Sequence, residues 1–192
     1  MLTYRVRPAT EEDVEFLADV VVAATRAQGR VPDGFDERQW RTAFGASTLE
    51  QVRGEVPDCV TSVVEVDNER VGRVRITRTT NFIELSGIQL LPRVQRQGIG
   101  TAVIEQLQAQ AAGAGLPLDL DVEKDNPGAR RLYERLGFAR VGENEEESRR
   151  ANDDHDKGYE VEVGVAGGRA EADSDKRRRG DRADGAEGLE QA

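Results

Sequence analysis

The apolar, strand-like run from Phe82 to Leu91 is followed by Gln95-Arg96-Gln97-Gly98-Ile99-Gly100 and then by a helical spacing of Ile99, Val103, Ile104 and Leu107. Gly113 and Gly115 terminate that helix, expected from Gly98 to about Ala112, and Leu118, Leu120 and Val122 alternate as the next strand. A strand, a helix and a strand in this order demand a parallel crossover with the helix laid on the sheet. The turn inside the unit has chemistry of its own. Unpaired backbone N–H groups leave the first helical turn, the helix dipole favours negative charge there, and glycines let a phosphate approach the backbone closely. This predicts an anion cradle suited to a phosphate-bearing cofactor.

The elements before the crossover are antiparallel in character. Tyr4 to Arg7 is a short first strand stopped by Pro8; Thr10 and Asp13 form a capping-box variant, and Val14, Leu17, Val21 and Ala24 give a helix from about Glu11 to Gln28, ended by Gly29. From Val31 to Val56 the pattern is less regular, with Glu37 to Phe44 and Leu49 to Arg53 as short helix candidates on either side of Gly45. Val60 to Val66 and Val71 to Arg78 read as a hairpin about Asp67-Asn68-Glu69-Arg70, with Val74 and Ile76 on one face and Arg73, Arg75 and Thr77 on the other. With Phe82 to Leu91 they make three consecutive antiparallel strands.

After the crossover, Asn126-Pro127 opens a last helix with Asn as N-cap and Pro at the first position, and Gly137 closes it. Strands follow at Phe138 to Val141 and Tyr159 to Val163, separated by the charged, loop-like stretch Glu143 to Lys157. From Ala166 onward almost no large apolar residue remains, so the segment cannot offset the entropy of ordering. The expectation is one folded domain over residues 1–163 and a disordered tail over 164–192. Lys176-Arg177-Arg178-Arg179 within that tail, flanked by acids and without aromatics, reads as a solvated charge run.

Composition narrows the chemistry. A chain of 192 residues suffices for one domain with a real core, and no apolar run approaches the length of a bilayer span. With no signal-peptide pattern at Met1 to Arg5, the expectation is a soluble cytoplasmic protein. Cys59 is the only cysteine and His155 the only histidine, which leaves little material for disulfides, a Cys/His zinc site or histidine-based catalysis. No metal is expected, and any acid or base is a carboxylate, tyrosine or lysine. The net charge of −10 argues against general affinity for nucleic acid or anionic membrane. Lysine is confined to Lys124, Lys157 and Lys176 while arginine is abundant and the excess acid is spread along the chain, a pattern for which adaptation to high salt and a base composition favouring arginine codons are equal accounts.

A lone Gly-x-Gly is weak, and the third glycine of a dinucleotide fingerprint is replaced by Val103. Specificity comes from joining Gln95-x-x-Gly98-x-Gly100 to a second block, Asn126-x-x-Ala129-x-x-Leu132-Tyr133-Glu134-x-x-Gly137-Phe138. With both motifs in order on the right elements, the chain resembles the GNAT superfamily of acetyl-CoA-dependent N-acetyltransferases. The resemblance covers Tyr4 to Val163 in element order and is sharpest from Phe82 to Phe138. It implies an α/β fold: a mixed, mostly antiparallel sheet of six to seven strands flanked by about four helices. In this family the sheet is splayed between strands four and five, where the cofactor's pantetheine arm lies.

The resemblance also implies roles. Leu90 would offer backbone groups to the pantetheine amides, and Gln95, Arg96, Gln97, Gly98, Ile99, Gly100 and Thr101 would hold the pyrophosphate of acetyl-CoA through main-chain N–H groups. Arg93 and Arg96 either add charge-assisted contacts or face solvent. Asn126 matches an asparagine near the cofactor arm and equally suits a plain N-cap. Tyr133, a packing residue by periodicity alone, would protonate the departing thiolate, and Glu84 would be the base that delivers a neutral amine. The other reading of Glu84 is an exposed strand carboxylate or a cross-strand ion pair. Direct attack on the thioester would generate an oxyanion, stabilised by a backbone N–H on a bulged fourth strand. The implied function is acetyl transfer to a small-molecule or protein amine, the alternative being a non-catalytic acyl-CoA-binding sensor or interaction module. Dimerisation is common in this family.

Overall fold

A computed structural model describes residues 3–123, 126–143 and 158–163. The strands are β1 (Tyr4–Pro8), β2 (Cys59–Val66), β3 (Glu69–Arg78), β4 (Ile83–Leu90), β5 (Leu118–Glu123), β6 (Ala139–Glu143) and β7 (Gly158–Val163). They form one seven-stranded sheet in the order β1-β2-β3-β4-β5-β7-β6. The helices are α1 (Val14–Ala27), α2 (Glu37–Val52), α3 (Ile99–Ala114) and α4 (Pro127–Arg135). Neighbouring strands pair antiparallel except β4 and β5, the parallel pair joined through α3. Among the described residues no helix is long and apolar enough to cross a membrane.

Local chemistry explains the order. Asp67 and Asn68 take φ of 50° and 67°, and Val66 pairs with Glu69, so the β2–β3 hairpin closes through a two-residue turn in the left-handed region that Asp and Asn tolerate. Asp13 lies beneath the start of α1 and accepts from the Thr10 N–H at 2.9 Å. Its carboxylate also receives Arg7 at 2.7 Å and Arg70 at 3.1 Å, which ties β1, α1 and the start of β3 together.

The sheet has two unlike faces. On one, Val103, Ile104 and Leu107 of α3 pack with Val74, Ile76, Ile83, Leu85, Leu118 and Leu120 in the main core. Full burial of each such side chain stabilises the fold by about 1.5–3 kcal/mol. On the other face, Leu17 of α1 packs with Val63 and Ala9, flanked by Phe16, Phe44 and Val52.

Three expectations change. The two short helices about Gly45 are one continuous α2, in which Trp40 and Phe44 stack at 4.7 Å between ring centroids. A Cβ on Gly45 would lie 3.8 Å from Val14 Cγ1, so the glycine sits where α2 faces α1 instead of ending the helix. Gly113 is also helical, and Gly115, at φ 67°, is the C-cap. Finally, the strand face that carries Arg73, Arg75 and Thr77 is not left to water as a polar face ordinarily is: α2 lies over it and Arg73 is buried. The loop after Glu143, His155 and the tail lie outside the described residues.

Candidate functional site

The strands β4 and β5 pair over only three positions, Ile83 with Leu118, Glu84 with Asp119 and Leu85 with Leu120. Beyond Leu85 they part. On its other side β4 remains paired to β3 as far as Leu90, opposite Gly72, and the Leu91 N–H donates to the Val71 carbonyl at 2.8 Å. Hydrogen-bonded and non-bonded pairs alternate in an antiparallel ladder, so Leu90 directs its N–H and C=O away from β3, into the opening. Ile88 does the same. The ladder also slips between Arg75/Ile76 and Gly87/Leu85, which places a β-bulge at Ser86 where the strands separate.

At the far end of β4 the chain turns through Pro92–Val94 and enters α3. Gly98, the N-cap of α3, has φ 83°, and Arg96 has φ 60°. A β-carbon at Gly98 would meet nothing within 4 Å, so its backbone conformation is what asks for glycine. The first intrahelical bond runs from the Ala102 N–H to the Gly98 carbonyl at 2.9 Å, leaving the N–H groups of Ile99, Gly100 and Thr101 without intrahelical partners. No acidic side chain occupies this first turn. A Cβ on Gly100 would come to 3.6 Å from Leu90 Cδ1, so the helix start and the end of β4 stand side by side.

The candidate residues of the turn divide by what already engages them. Gln95 is structural: its N–H closes on the Pro92 carbonyl at 3.3 Å and its side chain donates to the Leu90 carbonyl at 2.8 Å. That bond takes one of the two lone pairs of the Leu90 C=O, and the Leu90 N–H faces the opening. The Gln97 side chain donates to the Arg93 carbonyl at 2.9 Å, and Arg93 pairs with Glu69 at 3.2 Å. Arg96 is exposed.

Asn126 caps α4, accepting from the Ala129 N–H at 3.1 Å, with Pro127 at the first helical position. Gln108 of α3 donates to the Leu136 carbonyl at 2.8 Å and fixes the end of α4 against α3. Tyr133 is buried in the same core as Val94 and Ile99, with its ring edge-on to Phe138 at 5.6 Å. Burial pushes its phenol up to about 12, and among the described residues its hydroxyl has no hydrogen-bond partner.

Glu84 is half-buried, one strand over from Asp119 and opposite Thr77. The Thr77 and Ser86 hydroxyls lie 3.1 Å apart, so Glu84, Ser86 and Thr77 share the sheet face opposite α3. The position of the bulge and the burial of Arg73 escaped the sequence reading. Gly87, a glycine inside a strand pattern, was the available mark of the first. A hollow of about 260 Å³ between α3 and β1–β3, lined by Val6, Val60, Val103 and Leu107 among others, involves none of these residues.

The profile described as the acetyltransferase (GNAT) family matches residues 20–138. No curated protein sequence gives a match. By structure the chain is similar to PaiA N-acetyltransferase from Thermoplasma acidophilum, solved in complex with coenzyme A, with TM-score 0.67, 17% identity, and coverage of 83% of this chain and 98% of that one. It is also similar to the acetyltransferase from Salmonella typhimurium that modifies the N-terminal serine of ribosomal protein L7/L12, at TM-score 0.63 and 18% identity, covering 85% and 95% of the two chains. A chimera of the Vibrio cholerae spermidine N-acetyltransferase SpeG with hSSAT aligns at TM-score 0.60 and 19% identity, covering 83% and 94%. These likenesses are likenesses of fold.

Proposed function

The chain belongs to the acetyltransferase (GNAT) family, and on that premise we propose that it moves an acetyl group from acetyl-CoA to a primary amine by direct attack in a ternary complex. The observation that carries this reading is the parting of β4 from β5 after three residue pairs, with the Leu90 N–H directed into the gap and the uncapped start of α3 beside it. A strand edge without a neighbour is a template for an extended, amide-bearing ligand, and an uncapped helix start is one for a phosphate. Both are features of coenzyme A. Acetyl-CoA, when bound, supplies the activated acetyl group.

In this reading the N–H groups of Arg96 through Thr101 hold the pyrophosphate, and Gln95 shapes the turn without donating. The Leu90 N–H binds the pantetheine arm, and Asn126 sets the start of α4 beside it. The N–H groups at the Ser86 bulge donate to the thioester oxygen as negative charge gathers there. Glu84 accepts a proton from the incoming ammonium, directly or through water, and Tyr133 gives one to the departing sulfur. A phenol held neutral by burial is suited to that donation.

Thiol release from acetyl-CoA over a panel of amines tests the proposal, run with the wild type and Tyr133→Phe. Turnover of at least one amine, lowered by the substitution, is expected. Tight coenzyme A binding with no thiol release from any amine would overturn it.

A further inference from the structure

Arg73 carries its charge inside the protein. The residue is 6% exposed, on β3 beneath α2, with its guanidinium 5.1 Å from the centre of the Phe44 ring. Its Nη1 reaches Gln89 Oε1 only at 3.4 Å, and its buried Nε has no hydrogen-bond partner among the described residues. No carboxylate among the described residues pairs with it. Glu65 and Asp13 on the same side of the sheet are taken by Arg5, Arg7 and Arg70. Burial and the neighbouring Arg75 lower its pKa to about 10, so it is still cationic at neutral pH. A buried guanidinium without a counter-ion is costly, and a ring face with one long amide contact offsets only part of that cost.

Its place in the ladder suggests where the missing partner comes from. Arg73 lies opposite Gln89 and Arg75 opposite Gly87, so both arginines stand beside the bulge of β4 on the face that carries Glu84. Gly87 has no side chain, and the Gln89 amide fills that space: a Cβ on Gly87 would lie 3.3 Å from Gln89 Nε2. Gln89 and Arg75 are both half-exposed. The Gln89 side chain lies against Gly87 and touches Arg73 Nη1, so a change of its rotamer would bare that nitrogen toward the bulge. An oxyanion arriving there replaces a long neutral contact with a charge-assisted, bidentate one.

The geometry points to Arg73, aided by Gln89 and Arg75, as an oxyanion subsite beside the bulge, so that the acceptor amine carries a carboxylate or an equivalent oxyanion. This rests on the reading of the bulge as the place of acetyl transfer. Glu84 then faces the amino end of the acceptor and the arginines its anionic end.

Calorimetry on the full chain saturated with coenzyme A tests this without requiring turnover, using N-acetylglycine, N-acetylaminomethylphosphonate and N-methylacetamide. Either anion is expected to bind at least about tenfold tighter than the neutral amide. Arg73→Gln abolishes the preference and Arg73→Lys keeps part of it. Arg73→Met, which removes a buried charge and keeps the volume, loses the preference while its Tm rises; a structural arginine would give a fall. Equal affinities, no binding of either anion, or a preference that survives Arg73→Gln overturns the subsite. Thiol release is followed in parallel with glycine and methylamine. An anion preference without thiol release from any amine upholds the subsite and removes acetyl transfer, whereas thiol release without an anion preference does the reverse.

Discussion

At Tyr133 burial does two things: it packs the ring against Phe138 and it disfavours the phenolate. Tyr133→Phe keeps the ring and removes the proton, so kcat should fall about 100-fold, with KM for acetyl-CoA nearly unchanged in the thiol-release assay. The same burial links folding to alkali. The folded phenol at about 12 lies above its unfolded value, so this contribution to stability is complete below about pH 10 and is lost as pH rises through the folded value. Urea midpoints of the wild type should therefore fall relative to Tyr133→Phe across that window. Asp13 has the opposite sign. The Arg7 hydrogen bonds, aided by Thr10 and Arg70, hold its carboxyl well below the usual range despite desolvation. Its contribution is present above about pH 4 and is lost as pH falls. Asp13→Asn should cost about 2 kcal/mol at neutral pH and blunt the acid sensitivity, as read from denaturant unfolding at each pH.

At the scale of elements, what was legible in the sequence was what local chemistry decides. Asp67-Asn68 marked the hairpin, Asn126-Pro127 the start of α4, and Gly98 the start of α3, because in each case the residue itself supplies the backbone geometry. Tertiary contacts decided the rest. Gly45 looks like a break until α1 is laid against it, and alternation puts Arg73 on a polar strand face without showing that α2 covers it. The bulge at Ser86 adds one residue to a strand without changing its alternating character, and only Gly87 marks where it lies. For the start of α3 the candidate chemistry and the packing can be separated. A side chain at Gly100 meets only ordinary contact with Leu90, so Gly100→Asp should leave the Tm within a few degrees of wild type. Its carboxylate would stand at the uncapped amides, and coenzyme A affinity measured by calorimetry should drop more than about tenfold.

For the whole molecule, the charge of −10 is uneven in its effect. Carboxylates such as Asp13 and Glu65 are neutralised within the fold, while the remaining excess is repulsive and screened by salt. The Tm should therefore climb between low salt and about 1 M sodium chloride, and a flat profile would remove any case for adaptation to high salt. The short β4–β5 pairing has a mechanical side as well. With three residue pairs as the seam, the sheet falls into a block of β1 to β4 and a block of β5, β7 and β6, joined by few backbone pairs and by the core that α3 shares with both. With so few bonds across the seam, the β5 amides that face it should exchange with deuterium sooner than those of β2 and β3. A ligand seated along the gap would splice the blocks into one, so its grip would be felt as slowed exchange in strands it never touches.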